Sequence, residues 1–417
     1  MYQNNPLQRS YGAEFRTQED FTSNAILSEG TKFLLVSSRG SKILCEDRGD
    51  NAANSCMLKH FSMDELVALL RKVHSSLHTK NDVELIQNLQ TVILGAEVGS
   101  NRWMVSVDID SRDDKDGGEN IDSVLAYLSS LPTEKRDLNY VFRSGREFLR
   151  GLSSQEDSSV AGLALSLHTW HANNKYMSNS GELTESVEGG MKRKSIVSSR
   201  KVYPRLDPVA IACIISQDGS KCLLGNMKRA PPGFYSCLSG FIDQCETVQE
   251  AVRREVYEES GVKVGNVELF DSQPWPIGRG GGCELMIGAI GYSIDDRIQI
   301  TEGEKDVVAD VRWFDRNDIE KFLEEASSFS VSRKLRSPDK KFEQVADPEK
   351  VQVYVPGNYA IAHHLLREFV RRVDEKNAIR ANGALMINQP AIVIGLSTLI
   401  ISSILSLMIR GKFRLWK

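Results

Sequence analysis

The chain has 417 residues, 41% hydrophobic and 26% charged, with a formal net charge of −4. That length exceeds one ordinary domain, and the mild acidity excludes a global basic field for nonspecific nucleic-acid binding. The seven cysteines are an odd number with no C-x-x-C pair, which excludes a disulfide scaffold and suits reduced thiols in a cytosol-facing compartment.

Residues 1–24 are polar and expected to be loose. They carry no apolar run of a secretory signal, and Glu14, Glu19 and Asp20 beside Arg9 and Arg16 argue against a transit peptide. Residues 25–165 are expected to form a mixed α/β domain. Within it 31–37 and 103–109 read as strands, 63–75 and 83–89 as helices, and 110–120 as a charged turn region. Residues 161–171 read as a helix leading into a stretch rich in Ser, Gly and Lys that ends near Arg200, a small module or a linker.

From Tyr203 the pattern changes. The run VAIACIIS (209–216) is continuously apolar, as in a strand buried on both faces. Asp218-Gly219 turns it into 221–225 as a hairpin. Further strands are expected at 267–270, 286–292 and 311–314, with a helix at 315–326. A charged insertion spans 327–350, and a last helix spans 359–372 before a linker at 373–390.

Residues 391–409 (AIVIGLSTLIISSILSLMI) are almost wholly apolar. As a helix at about 1.5 Å per residue they reach about 28 Å, close to the ~30 Å of a bilayer core. Arg410, Lys412, Arg414 and Lys417 follow. The expectation is a single transmembrane tail anchor with the body of the chain in the cytosol. The mitochondrial outer membrane or the peroxisome is favoured, and the endoplasmic reticulum stays open.

The chemistry centres on GFIDQCETVQEAVRREVYEESGV, residues 240–262. Thr247 followed three residues on by Glu250 is a capping box, and Gly261 is a natural helix stop. At 100° per residue Val248, Val252 and Val256 form one apolar stripe, with Ala251 beside it. Glu255 and Glu259 fall on that stripe, and Glu258 lies next to Ala251. Like charges four residues apart near the negative helix end are unfavourable alone. Arg254 can offset part of this, and a divalent cation is the simplest single remedy, oxygen ligands selecting Mg²⁺ or Mn²⁺.

Three acidic residues would also fit a solvated helix end. The full spacing is more specific: Gly240, five residues, Glu246, seven residues, Arg254-Glu255-Val256, Glu258-Glu259, Gly261-Val262. It resembles the Nudix box at every fixed position. The flanks YPRLDPVAI (203–211), SQPWP (272–276), VRWF (311–314) and AIAHHLL (360–366) resemble the NADH pyrophosphatase branch of that superfamily. The likeness runs from about 85 to 372.

This resemblance implies an α+β chain: an N-terminal domain at 25–165, a zinc-ribbon-like module at 166–202 and a Nudix α/β/α sandwich at 203–372, working as a homodimer. It implies cleavage of NAD(H) to NMN(H) and AMP, with RNA as a partner only when capped by NAD. By position, Glu255, Glu258 and Glu259 would bind metal, Arg254 would orient a glutamate and Glu246 would brace the loop. Tyr203 and Phe241 would stack on a base, and Gln273 and Trp275 would shape the specificity pocket. Stacking on an aromatic is worth roughly 1–3 kcal/mol per base.

Three departures stand out. The positions of the zinc-binding cysteines hold Met177, Ser180, Ser195 and Ser198, none a thiolate, so no zinc is expected and packing must hold the module. Trp170-His171 persists before it as a structural pair. SQPWP is followed by IGRGGGCELM, a looser and longer loop. The register near Val307 holds no carboxylate, which leaves Glu304 or Asp306 as the last metal ligand. Two other readings stay open: a Nudix diphosphatase for ADP-ribose, a dinucleoside polyphosphate or a coenzyme A, and a weakly active membrane-bound nucleotide sensor or scaffold.

Overall fold

The computed structural model describes residues 7–8, 18, 20–47, 56–74, 80–100, 102–110, 119–131, 139–145, 154–276, 278, 282–327 and 352–387. The N-terminal unit is built on one mixed sheet. Its strands are β1 (Leu7–Gln8), β2 (Lys32–Ser37), β3 (Lys42–Asp47), β4 (Cys56–Leu58), β5 (Thr91–Glu97), β6 (Trp103–Asp108) and β7 (Asn139–Ser144). They run in the order β1-β5-β6-β2-β3-β4, with β7 also on β3.

Strand β2 explains the layering. Phe33 and Leu35 face helices α1 (Phe21–Leu27), α2 (Met63–Val73), α3 (Asp82–Asn88) and α4 (Glu119–Ser130), in a core with Leu66, Leu70, Leu85 and Val124. Leu34 and Val36 face the other way, onto Val160, Ala161 and Ala164 of α5 (Gln155–Asn173). Both faces are buried, so the strand reads as an unbroken apolar run rather than an alternation.

The small module is a three-stranded antiparallel sheet of β8 (Thr184–Val187), β9 (Lys192–Ser195) and β10 (Lys201–Val202). Its hydrogen bonds converge on Glu182 and Ser195. Ser195 Oγ donates to Glu182 Oε2 at 2.6 Å, and Ser198 Oγ donates to the same oxygen. The backbone N–H groups of Val197 and Ser198 donate to Ser195 Oγ, each at 3.0 Å. Packing is therefore not alone in holding the module, as the sequence had suggested.

Buried Arg193 adds bonds to Thr184 Oγ1 and Thr184 O, both 2.7 Å, and to His171 Nδ1 at 2.9 Å. Arginine can only donate, so His171 Nδ1 accepts and its Nε2 donates to Gly190 O at 2.7 Å. His171 is thus a structural residue.

The third unit is a mixed sheet of β11 (Leu206–Ile215), β12 (Lys221–Met227), β13 (Leu238–Phe241), β14 (Lys263–Trp275), β15 (Cys283–Asp295) and β16 (Val308–Asp315). The order is β14-β15-β11-β12-β16, with β13 pairing the middle of β11, residues 209–212. Helix α6 (Val248–Ser260) covers one face, where Ala251, Val252 and Val256 meet Ala210, Ala212 and Ile214. Helices α7 (Arg316–Ser327) and α8 (Ile361–Ile387) cover the other, where Ile319, Leu365 and Phe369 meet Ile211, Cys213 and Ile215. This is the expected α/β/α sandwich.

Several boundaries differ from the sequence reading. The strands expected at 267–270 and 286–292 are each 13 residues long, so SQPW belongs to β14. Helix α8 runs on to Ile387 and takes up most of the expected linker. Around Val373 it is laced with ion pairs, Arg371 with Glu368 at 2.7 Å and Asp374 with Arg316 of α7 at 2.8 Å. Among the described residues no helix is long and apolar enough to cross a membrane. The expected anchor at 391–409 and most of the charged insertion at 327–350 lie outside the described residues.

Candidate active site

Helix α6 forms as its caps require. Thr247 N donates to Glu250 Oε2 at 2.8 Å, Glu250 N donates back to Thr247 Oγ1 at 3.3 Å, and Gly261 ends the helix at φ 75°. Burying each valine stabilises the helix by about 1.5–3 kcal/mol. Repulsion between carboxylates four apart costs only a few tenths of a kcal/mol, so packing wins and the acidic end stays folded.

Arg254 is the hub beneath it. Its Nε and Nη2 donate to the two oxygens of Glu246, both at 2.8 Å. Nη2 also donates to Phe241 O at 2.9 Å, and Nη1 donates to Glu255 Oε1 at 2.7 Å and Glu258 Oε2 at 3.2 Å. Glu246 Oε2 accepts in addition from Asp243 N at 3.0 Å, which closes the loop before the helix. Arg254 and Glu246 therefore tie the loop to the helix and orient Glu255.

Gly240 has a specific reason to be glycine. A Cβ placed there would stand 1.8 Å from Glu255 Cδ. The Glu255 carboxyl thus lies flat on the backbone of β13. Gly261 is required for its positive φ and because a Cβ would meet Gln299 O at 2.4 Å.

The acidic cluster is electrostatically loaded. Glu259 is only 6% exposed, and its Oε2 has no hydrogen-bond partner. Burial first, and then the Glu255 charge, pushes its carboxyl up to about 8. The Ser239 backbone and the charge of Arg229 oppose this, and Glu304 adds to it. Burial also raises Glu255, against its bond from Arg254, with Glu258 and Glu304 contributing repulsion. Glu304, in the short turn Glu302–Glu304, therefore faces the same carboxylates as the helix. Asp306 is instead fully exposed, 3.9 Å from Lys228.

Among the described residues no three His, Cys, Asp or Glu side chains are arranged to hold a metal ion; Arg254 holds Glu258 and one oxygen of Glu255. The donor set still suits a hard cation: all oxygen, on one helix end and one turn, with an unpartnered buried carboxylate oxygen among them.

Sheet register places the expected substrate residues. Gln273, Met286, Val209 and Phe241 lie in one row across β14, β15, β11 and β13. At about 4.8 Å per strand, Phe241 and Gln273 are roughly 14 Å apart. Trp275 and Glu284 follow two residues along on the same face.

Gln273 is 1% exposed and its amide is committed. Nε2 donates to Tyr359 O, and Oε1 accepts from Ile361 N, each at 2.7 Å. It pins the start of α8. Tyr203 is not part of this row. It is 59% exposed, and Lys192 Nζ lies 5.2 Å from its ring centre. The sequence reading missed Met286 and Glu284. Only the strand register, not the spacing, reveals them.

Residues 206–335 match the NUDIX domain family. The chain is 35% identical over 225 residues to the NAD-capped RNA hydrolase NUDT12 of Homo sapiens, covering 52% of this chain and 42% of that protein. It is 32% identical over 250 residues to the mitochondrial NAD(P)H pyrophosphatase NUDT13 of Mus musculus, covering 60% and 65%. It is 29% identical over 232 residues to the NAD-capped RNA hydrolase NPY1 of Saccharomyces cerevisiae, covering 51% and 55%. The chain thus spans less than two thirds of each of these relatives. The chain carries a NUDIX domain over 206–335, and over that domain and its flanks it is similar to relatives named NAD(P)H pyrophosphatases and NAD-capped RNA hydrolases.

Proposed function

We propose that this chain is a Mg²⁺- or Mn²⁺-dependent diphosphatase that cleaves the pyrophosphate bond of NAD(H) to NMN(H) and AMP. The observation that carries this reading is the buried, unpartnered carboxylate oxygen of Glu259, set against Glu255 and Glu304 at the end of α6. Glu255, Glu258 and Glu259 would hold the ion, with Glu304 facing them. The ion, when bound, supplies charge neutralisation for a pyrophosphate and a water acidified for attack.

The chain's own residues do the rest. Arg254 and Glu246 fix the loop and the rotamer of Glu255. Phe241, Met286 and Trp275 offer half-buried apolar and aromatic surface to a base, on the sheet face that also bears Glu284. The names of the relatives support NAD(H), and NAD at the end of an RNA, as substrates. The alternative diphosphatase substrates, ADP-ribose among them, are separated from NAD(H) by one assay: turnover of each by the full-length protein in Mg²⁺ and Mn²⁺. NADH turnover is expected. Turnover of ADP-ribose without NADH would move the assignment, and turnover of neither would favour a sensor.

Two further parts of the proposal are a homodimer, tested by light scattering, and a tail anchor at 391–409. Deleting 388–417 spares α8 and is expected to release the protein from membranes. A full-length protein already in the soluble fraction contradicts the anchor.

A further inference from the structure

Helix α5 joins the N-terminal unit to the substrate face through one glycine. Val160, Ala161, Ala164, Leu165 and Leu167 of this helix pack into the core of the first sheet. Gly162 lies roughly on the opposite side, at 100° per residue. A Cβ there would stand 2.9 Å from Pro276 Cγ and 3.3 Å from its Cβ. Those are rigid ring atoms, so they cannot swing aside as a long side chain would. The pyrrolidine thus rests directly on the helix backbone. Glycine in the middle of a 19-residue helix is disfavoured relative to alanine, so its presence calls for a packing reason such as this.

Pro276 directly follows the end of β14. Three residues earlier, Gln273 is fixed by Tyr359 O and Ile361 N at the start of α8. The segment carrying Trp275 is therefore gripped at both ends, by α8 on one side and by the notch at Gly162 on the other. Trp275 shares its sheet face with Met286 and Phe241.

We propose that Gly162 is a positioning residue: its missing side chain lets Pro276 seat on α5, and that contact sets where Trp275 stands against a bound base. The N-terminal unit thereby tunes recognition without touching the substrate. The identity of the ligand rests on the NAD(H) reading; the contact does not.

The test uses the full-length protein carrying Gly162→Ala or Gly162→Val, read by steady-state kinetics on NADH and by hydrogen exchange of residues 272–276. Alanine removes the helix penalty of glycine but strains the Pro276 contact, and the two effects offset, so that variant is expected to melt close to the unmodified chain. Both variants are expected to exchange faster at 272–276 and to raise KM, about tenfold for valine, with kcat within a factor of about three. Unchanged exchange overturns the inference whatever the activity, and faster exchange with an unchanged KM overturns it too. An unmodified protein with no NADH turnover defeats the NAD(H) reading instead, and exchange at 272–276 then decides the positioning by itself.

Discussion

Replacing Glu259 by glutamine probes the loaded helix end with almost no change of shape. Burial raises this carboxyl to about 8 in the folded chain, against 4.5 as its ordinary value. At 1.36 kcal/mol per pH decade, keeping its charge buried above pH 8 costs at most roughly 5 kcal/mol. Between those two values the folded protein retains a proton that the unfolded chain has released. Stability of the metal-free protein therefore falls as pH rises from about 4.5 to about 8.

Glutamine abolishes that slope. Without metal, Glu259→Gln is expected to be more stable than the unmodified protein by about 2–5 kcal/mol at pH 8.5, and within about 1 kcal/mol of it at pH 5. Added Mg²⁺ should reverse the ranking at pH 8.5, because only the carboxylate gains a partner. Urea unfolding at the two pH values, with chelator and with Mg²⁺, reads all of this. Equal stabilisation of both proteins by Mg²⁺, or parallel pH profiles, would refute the reasoning.

Other consequences concern separate residues. Gly240→Ala forces the Glu255 carboxyl off its seat; a misplacement of about 1 Å can cost about a hundredfold in rate, so a kcat loss of that order with little change in melting is expected. Glu258→Gln should lower kcat by orders of magnitude with the circular dichroism spectrum unchanged. Gln273→Leu leaves Tyr359 O and Ile361 N unpaired, a cost of about 1–3 kcal/mol each, visible as a lower unfolding midpoint. Glu182→Ala should speed proteolysis within the small module, whereas a zinc chelator should not; faster proteolysis with chelator alone would show a metal where the carboxylate is now placed.

Much of the fold is legible in the sequence where one physical rule dominates. The capping box at Thr247, the stop at Gly261 and the doubly buried strand at 209–216 follow from local chemistry and appear as expected. Arg254 and Glu246 stand out as fixed letters of the motif, but that they pair, across the eight residues that span the helix start, is seen only in the fold. The rest depends on contacts between distant segments. β13 has only four residues and no alternation of its own; its pairing with β11 creates it. The extension of β14 through Trp275 is carried by β15, not by its half-exposed sequence.

Gly240 can be read as a fixed letter of a motif, but its reason, the Glu255 carboxyl lying on it, exists only in three dimensions. Glu182 was invisible for the same reason. It sits in a polar stretch, and its bonds to Ser195 and Ser198 span 13 and 16 residues. Helix α8 outruns the expected boundary because the charged Asp374-Glu375-Lys376 that follows Val373 breaks the apolar period that marks a helix.

A divalent cation held by the acidic end of α6 is proposed to enable this chain to split NADH. Product analysis of the full-length protein with NADH, with and without Mg²⁺ or Mn²⁺, tests it most directly. NMNH and AMP are expected in equal amounts, only when metal is present, and neither from the Glu259→Gln variant. Equal product from that variant, or formation indifferent to metal, would contradict it.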